Sequence, residues 1–145
     1  MIGTYPHSID AKGRLFIPAR LREELGDAFH VTLSAERDQE TNIERKYLVA
    51  YPNQSWNDML EKIKGLSRVK QKKMRTLFAH AAWCELDSQG RILLPQVLRT
   101  YAGLQKNVTI VGSGDNVELW DSDLWAVVDE VESSPEFIED IFDEL

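Results

Sequence analysis

The sequence has little of what marks an exported protein, a redox centre or a catalyst. It holds a single cysteine, Cys84. No internal disulfide can form, and the chain suits a reducing cytosol. Cys84 and the three histidines, His7, His30 and His80, lack the ligand spacing of a structural zinc cage, so no metal and no other cofactor is expected. No apolar run approaches the roughly 20 residues of a membrane span, and no membrane is expected as a partner. The opening residues Met1-Ile2-Gly3-Thr4-Tyr5-Pro6 have neither the basic region nor the long apolar region of a signal peptide. A cytoplasmic location is expected. P-loop, G-x-G-x-x-G and H-E-x-x-H motifs are missing, and neither Cys84 nor any serine sits in a nucleophile elbow. Cys84 lies in an apolar stretch, where a thiol is by default a small buried hydrophobe. An enzyme with a small-molecule substrate is not expected.

Basic residues are also scarce, but unevenly so. The 145 residues carry 17 Lys and Arg against 24 Asp and Glu, a formal charge of −7. Averaged over the chain, that balance argues against nucleic acid. Residues 1–83, however, hold 14 Lys and Arg against 10 Asp and Glu, or +4. Residues 84–145 hold 3 against 14, or −11. From Asp121 onward there are ten carboxylates and no Lys or Arg. Such asymmetry separates a basic working surface from an acidic segment with another task.

What the chain does have is a repeat. Residues 9–26 read IDAKGRLFIPARLREELG and residues 86–103 read LDSQGRILLPQVLRTYAG. At an offset of 77, Asp10 matches Asp87, Gly13 matches Gly90, Arg14 matches Arg91 and Pro18 matches Pro95. Leu21, Arg22 and Gly26 match Leu98, Arg99 and Gly103. Val31-Thr32-Leu33 then aligns with Val108-Thr109-Ile110, and Trp56 with Trp125. A unit of roughly 45 residues is therefore present twice.

Each unit has the same grammar. A short strand (Tyr5–Ile9 or Trp83–Leu86) leads into Asp-x-x-Gly, where Asp caps the turn and Gly takes a positive φ. A second strand follows, Arg14–Ile17 or Arg91–Leu94. Pro18 or Pro95 then opens a two-turn helix that stops near Gly26 or Gly103. Two more strands complete the unit: Val31–Ser34 with Tyr47–Tyr51, and Val108–Gly112 with Asn116–Trp120. Four short strands and two turns of helix bury too little alone. The copies should interleave into a mainly β (α+β) fold, a small closed β-core with short helices at its ends.

Between and after the copies the pattern is helical. Ser55 or Asn57 is expected near the cap of one helix that Gly65 closes. Ser67 is expected to cap a second, with Val69, Leu77, Phe78 and Ala81 inward and Arg68, Lys70, Lys72, Lys73 and Arg75 outward. Asp121 or Ser122 should cap a third helix running to about Val131. Ser134-Pro135 should start a last one with Phe137, Ile138, Ile141 and Phe142 as its apolar stripe. The polar stretch Ala35–Lys46 reads as a surface loop or ragged hairpin, and the four tryptophans as core or interface anchors. The expected organisation is repeat 1 over residues 4–52, a helical connector over 53–81, repeat 2 over 82–124 and an acidic tail over 125–145.

The doubled Asp-x-x-Gly-Arg-apolar-x-x-Pro pattern resembles the MraZ family over roughly residues 3–130. The resemblance rests on Asp10 to Arg14 and Asp87 to Arg91, two copies of the family's Asp-x-x-x-Arg motif. Ile17-Pro18, Gly90-Arg91-Ile92-Leu93-Leu94-Pro95, Tyr101-Ala102-Gly103-Leu104, Ile110-Val111-Gly112 and Glu118-Leu119-Trp120-Asp121 add to it. It implies two AbrB-like (SpoVT-AbrB) swapped-hairpin repeats. It also implies sequence-specific binding to direct repeats in double-stranded DNA of its own promoter, as a nucleoid-associated regulator and usually a repressor of division and cell-wall genes. Assembly into a homo-oligomeric ring is implied as well. The chain departs from the family pattern in the long Ala35–Lys46 insertion, in Ile2-Gly3-Thr4, and in its acidic tail.

On the residues themselves, Arg14 and Arg91 each begin a strand just after a tight turn. That fixes a guanidinium better than a loop would, and arginine on guanine is the commonest specific DNA contact. Asp10 and Asp87 would be repelled by phosphate, so with Gly13 and Gly90 they are assigned to motif support. Lys12 at the turn tip and Arg20 on the helix are assigned to DNA. Their counterparts are Gln89 and Val97, which makes the first repeat the stronger binder. Arg22 and Arg99 read as salt-bridge residues. Antitoxins of the AbrB-like type, or a module that binds only protein, are the rival class. They usually carry one repeat per chain.

Overall fold

A computed structural model describes residues 1–39 and 41–145. The elements in order are β1 (Thr4–Ser8), β2 (Arg14–Phe16), α1 (Ala19–Leu25), β3 (Ala28–Arg37) and β4 (Glu44–Tyr51). Three helices follow: α2 (Asn53–Lys64), α3 (Arg68–Lys73) and α4 (Arg75–Ala79). The second copy is β5 (Ala82–Glu85), β6 (Arg91–Leu93), α5 (Gln96–Tyr101), β7 (Asn107–Gly112) and β8 (Val117–Asp121). Helices α6 (Ser122–Glu132) and α7 (Pro135–Glu144) end the chain.

The copies interleave as a mixed α+β, duplicated β-barrel. One antiparallel sheet runs β1-β7-β8-β4-β3-β5, and a two-stranded ribbon joins β2 to β6. The first strand of each repeat pairs with the third strand of the other. β1 lies on β7 from Thr4↔Val111 to Ser8↔Asn107, and β5 lies on β3 from Ala28↔Glu85 to Val31↔Ala82. The fourth strands, β4 and β8, pair with each other. The ribbon closes the curl, because β2 packs on β1 through the bridge Ile9↔Leu15 and β6 packs on β5. Matched residues of both copies share one core: Leu15 and Ile92, which pair in the ribbon, Ile17 and Leu94, and Leu21 and Leu98, all essentially inaccessible.

Strand β4 shows why a stretch such as Tyr47–Ala50 is apolar without a break. Leu48 and Ala50 face this core, while Tyr47 and Val49 face a second cluster with Val111, Trp120 and Val128, covered by α6. A strand covered on both faces has no side left for polar residues. Tyr47 stacks on Trp120 at 4.2 Å.

Four expectations are corrected. Helix α2 starts at Asn53 behind Pro52, not near Ser55 or Asn57, because the Ser55 hydroxyl is used to reach the Asp115 carbonyl (2.8 Å). The helix capped by Ser67 breaks at Met74 into α3 and α4. Of these two, α4 packs on the sheet, where the Thr32 hydroxyl donates to the Leu77 carbonyl (2.6 Å). Of the expected inward residues Leu77 alone packs on the main core, and Val69 is 70 % exposed. Trp83 is no core anchor: half of it is exposed, with its ring beside His30. Of the two readings of Ala35–Lys46 the hairpin holds: β3 and β4 continue to pair as far as Arg37↔Glu44, with Glu36 opposite Arg45. Opposite charges across strands support such a solvated hairpin. Glu40 within it lies outside the described residues.

That hairpin does not stand alone. The Arg45 guanidinium is largely buried and reaches Asp38 (2.8 Å), Glu36 (3.4 Å) and Glu132 of α6 (3.8 Å). Burial is the main cause that pushes the Glu132 carboxyl upward, and the charge of Glu36 adds to it. The tail helices are capped as their sequence predicts: Asp121 accepts from the Leu124 N–H (3.1 Å) and Ser134 from the Phe137 N–H (3.4 Å). The stripe Phe137, Ile138, Ile141 and Phe142 remains exposed.

Candidate nucleic-acid interface

The site begins with one carboxylate per repeat. Asp10 Oδ1 accepts from the backbone N–H groups of Lys12 (3.0 Å) and Arg14 (2.9 Å), and the Asp10 carbonyl accepts from the Gly13 N–H (3.0 Å). Asp87 does the same for Gln89 (2.9 Å), Arg91 (2.9 Å) and Gly90 (3.0 Å). The turn requires φ of +86° at Gly13 and +77° at Gly90, a region other residues enter only with strain. The second oxygen takes the arginine that follows. Arg14 Nε donates to Asp10 Oδ2 at 2.7 Å and Arg91 Nε to Asp87 Oδ2 at 2.9 Å. These bonds hold both carboxyls below their ordinary value, the backbone N–H of Arg14 or Arg91 being the largest cause. Asp10 and Asp87 are thus fixed negative charges that aim a guanidinium. The terminal Nη groups of Arg14 and Arg91 make no hydrogen bond to a described residue. They are available to an outside acceptor.

The two turns lie side by side. The Ile17 N–H donates to the Gly90 carbonyl and the Leu94 N–H to the Gly13 carbonyl, both at 2.9 Å. In the ribbon Arg14 sits opposite Leu93, Leu15 opposite Ile92 and Phe16 opposite Arg91. The middle pair faces the core, so Arg14, Phe16, Arg91 and Leu93 share the outer face. Arg14 and Arg91 are diagonal neighbours, with backbones roughly 7–8 Å apart. Lys12 and Arg20 are exposed, as are their counterparts Gln89 and Val97. All of the residues predicted from the motif, Asp10, Lys12, Gly13, Arg14, Asp87, Gly90 and Arg91, therefore belong to one end of the barrel. The basic run over Arg68–Arg75 is exposed too, on helices of which α4 packs against β3.

Among the described residues of the chain neither Arg22 nor Arg99 meets a carboxylate, so the expected surface salt bridge does not form within it. Each crosses to the other repeat. A Cβ on Gly13 would come within 2.9 Å of the Arg99 guanidinium carbon, and one on Gly90 would collide with the Arg22 guanidinium. Arg99 Nε donates to the Leu94 carbonyl (3.0 Å), and Arg22 lies over the Phe16 ring at 5.4 Å. The positive φ requires glycine at both positions, and a side chain there would also push the facing guanidinium aside. The matched positions on matched helices were the available signal, but only interleaving says which glycine each arginine meets.

Elsewhere the chemistry is sparse. Cys84 is buried, and burial pushes its thiol up to about 11, the protonated and unreactive range at neutral pH. Among the described residues no group of three His, Cys, Asp or Glu is placed to hold a metal ion, and no helix is long and apolar enough to cross a membrane.

Comparison with known proteins agrees with this motif. The family model described as "MraZ protein, putative antitoxin-like" matches twice, over residues 1–78 and 77–139. A protein named transcriptional regulator MraZ from Carboxydothermus hydrogenoformans is 47% identical over 127 residues, 86% of this chain and 82% of that one. Proteins of the same name from Heliobacterium modesticaldum and Ligilactobacillus salivarius are 42% and 39% identical, covering 89% and 92% of this chain and 86% and 90% of theirs. The name is that of a regulator and not of an enzyme class. With a family model matching both halves and relatives aligned over most of their length, the chain belongs to the MraZ family.

Proposed function

We propose that the chain is a sequence-specific transcriptional regulator that binds double-stranded DNA with the outer face of the β2–β6 ribbon. One observation carries this reading. Two guanidiniums, Arg14 and Arg91, are each tied by Nε to a carboxylate and leave their terminal amino groups unbonded on one ribbon. The major groove admits a two-stranded ribbon, and guanine offers two acceptors there to one arginine. Lys12 and Arg20 neutralise phosphates at the flank, the term that supplies most non-specific affinity. Asp10 and Asp87 orient and do not touch DNA. The overall charge of −7 is no obstacle, since the acid is concentrated in the second half of the chain.

Within the same proposal the target is a set of direct repeats in the promoter of the protein's own gene, upstream of division and cell-wall genes, and the effect is repression. One protomer offers few cations. A homo-oligomeric ring on the nucleoid, presenting several ribbons to several repeats, gains by effective concentration what each ribbon lacks. Residues 4–52 and 82–124 serve as the repeats, 53–81 as connector and 125–145 as tail. In a gel shift with its own promoter, wild-type protein should bind and Arg14→Ala should abolish binding while the oligomer mass stays constant. Retained binding with unchanged salt dependence overturns the assignment of Arg14.

The exposed stripe on α7 favours a second reading, an AbrB-like antitoxin or protein-interaction module with no specific DNA target. The tail has two roles to separate: competing with DNA for the basic face, or packing on a neighbouring protomer. Removing residues 133–145 should change DNA affinity in the first case and oligomer mass in the second. If neither moves, the tail has neither role.

A further inference from the structure

We propose that Leu93 is a base-reading residue, which places its side chain on the C5-methyl group of a thymine in the major groove, beside a guanine held by Arg14. This rests on the DNA-binding reading above and adds the groove and the base. Leu93 is 59 % exposed, although the residues on either side of it, Ile92 and Leu94, are fully buried. Single exposed leucines are ordinary, but this one has an unusual position. It lies directly opposite Arg14 on the ribbon face that also carries Arg91.

Its counterpart in the first repeat is Phe16, and that ring is half-buried. The His7 ring lies 5.2 Å from it and the Arg22 guanidinium 5.4 Å. The same cover is withdrawn from Leu93. The residue matching His7 is Cys84, which is buried, and the residue matching Arg22 is Arg99, whose Nε is spent on the Leu94 carbonyl. An apolar side chain is thus left bare between two cationic groups. Phosphate offers it nothing. The partner that fits is an apolar group flanked by hydrogen-bond acceptors. The major groove supplies one wherever a thymine methyl stands next to guanine N7 and O6; the minor groove has no methyl group.

The test uses the full-length protein and the promoter duplex it protects, with each thymine in turn replaced by deoxyuridine, which removes the methyl and keeps the base pair. Wild-type protein should lose about fourfold in affinity at one position next to a guanine, the worth of one buried methyl group. Leu93→Ala should bind the unaltered duplex more weakly by at least as much and be indifferent to uracil at that position, so that the two changes are not additive. Phe16→Leu should keep the uracil effect. Wild-type indifference to every uracil, or Leu93→Ala that still discriminates, overturns the inference while leaving DNA binding intact. A fall in oligomer mass on Leu93→Ala overturns it in favour of a contact between protomers. Failure of wild-type protein to bind any duplex removes the DNA reading as well.

Discussion

In the first repeat Asp10 and Arg14 are joined at 2.7 Å, and in the second Asp87 and Arg91 at 2.9 Å; every backbone bond of the two turns agrees as closely. The surfaces around them do not agree. Lys12 corresponds to Gln89 across the pseudo-twofold relation, Arg20 to Val97, and half-buried Phe16 to exposed Leu93. The two turns are stitched to each other by the Ile17 and Leu94 amides, so neither can change shape alone. Side chains on the outer face carry no such constraint. Backbone geometry is held in common, while charge and apolar surface have diverged.

The comparison can be tested from its strongest element downward. Leu21→Ala and Leu98→Ala each remove a fully buried side chain at matched positions. Each should cost about 2–5 kcal/mol, and the two should be similar; urea unfolding measures this, and a large inequality would break the equivalence of the scaffold. Arg14→Ala and Arg91→Ala should each cost binding of the promoter duplex roughly 1–3 kcal/mol per lost bidentate contact, a loss that is multiplied over the ribbons of a ring and for Arg14→Ala removes the gel shift. The first should lose more, because Lys12 and Arg20 dock its repeat. Equal losses in a fluorescence titration would make the two faces equivalent. Exchanging the turn tips is subtler. Lys12→Gln should flatten the plot of log affinity against log salt by about one unit per binding site, and Gln89→Lys should steepen it by a similar amount.

The smallest effect concerns acid. Asp10 and Asp87 titrate below 3.8 in the folded chain. Their contribution is complete above that value and fades as the pH falls through their lowered folded values. Asp10→Asn and Asp87→Asn should therefore reduce stability near neutrality and shrink the loss seen on acidification, equally in both repeats. Thermal melts across the acid range read this. An effect at one site alone would show that the two turns are not equivalent.

Much of this was legible in the residues because it is local. Asp10, Gly13 and Arg14 specify their turn within five positions, and the offset of 77 announces its twin. The helix caps at Ser67, Asp121 and Ser134 are likewise local. What escaped is set by distant partners. Nothing near Arg22 or Arg99 in sequence points to the glycine of the opposite repeat. The break at Met74 falls just before Leu77, whose carbonyl the distant Thr32 holds. Loop and hairpin could not be told apart over Ala35–Lys46, because its strand pairing uses charges in place of apolar alternation and its anchor, Glu132, lies in α6. The motif named the candidate site, but the register Arg14↔Leu93 had to come from the fold.

Because β1 is completed by β7 and β3 by β5, each repeat is the missing edge of the other. Had the repeats been separate polypeptides, closing the barrel would be a bimolecular event, and dilution would open it. Joined through residues 53–81, they close it within a single molecule, whatever the number of copies present. Dilution should then dissociate any higher assembly while each barrel melts at a temperature independent of its concentration.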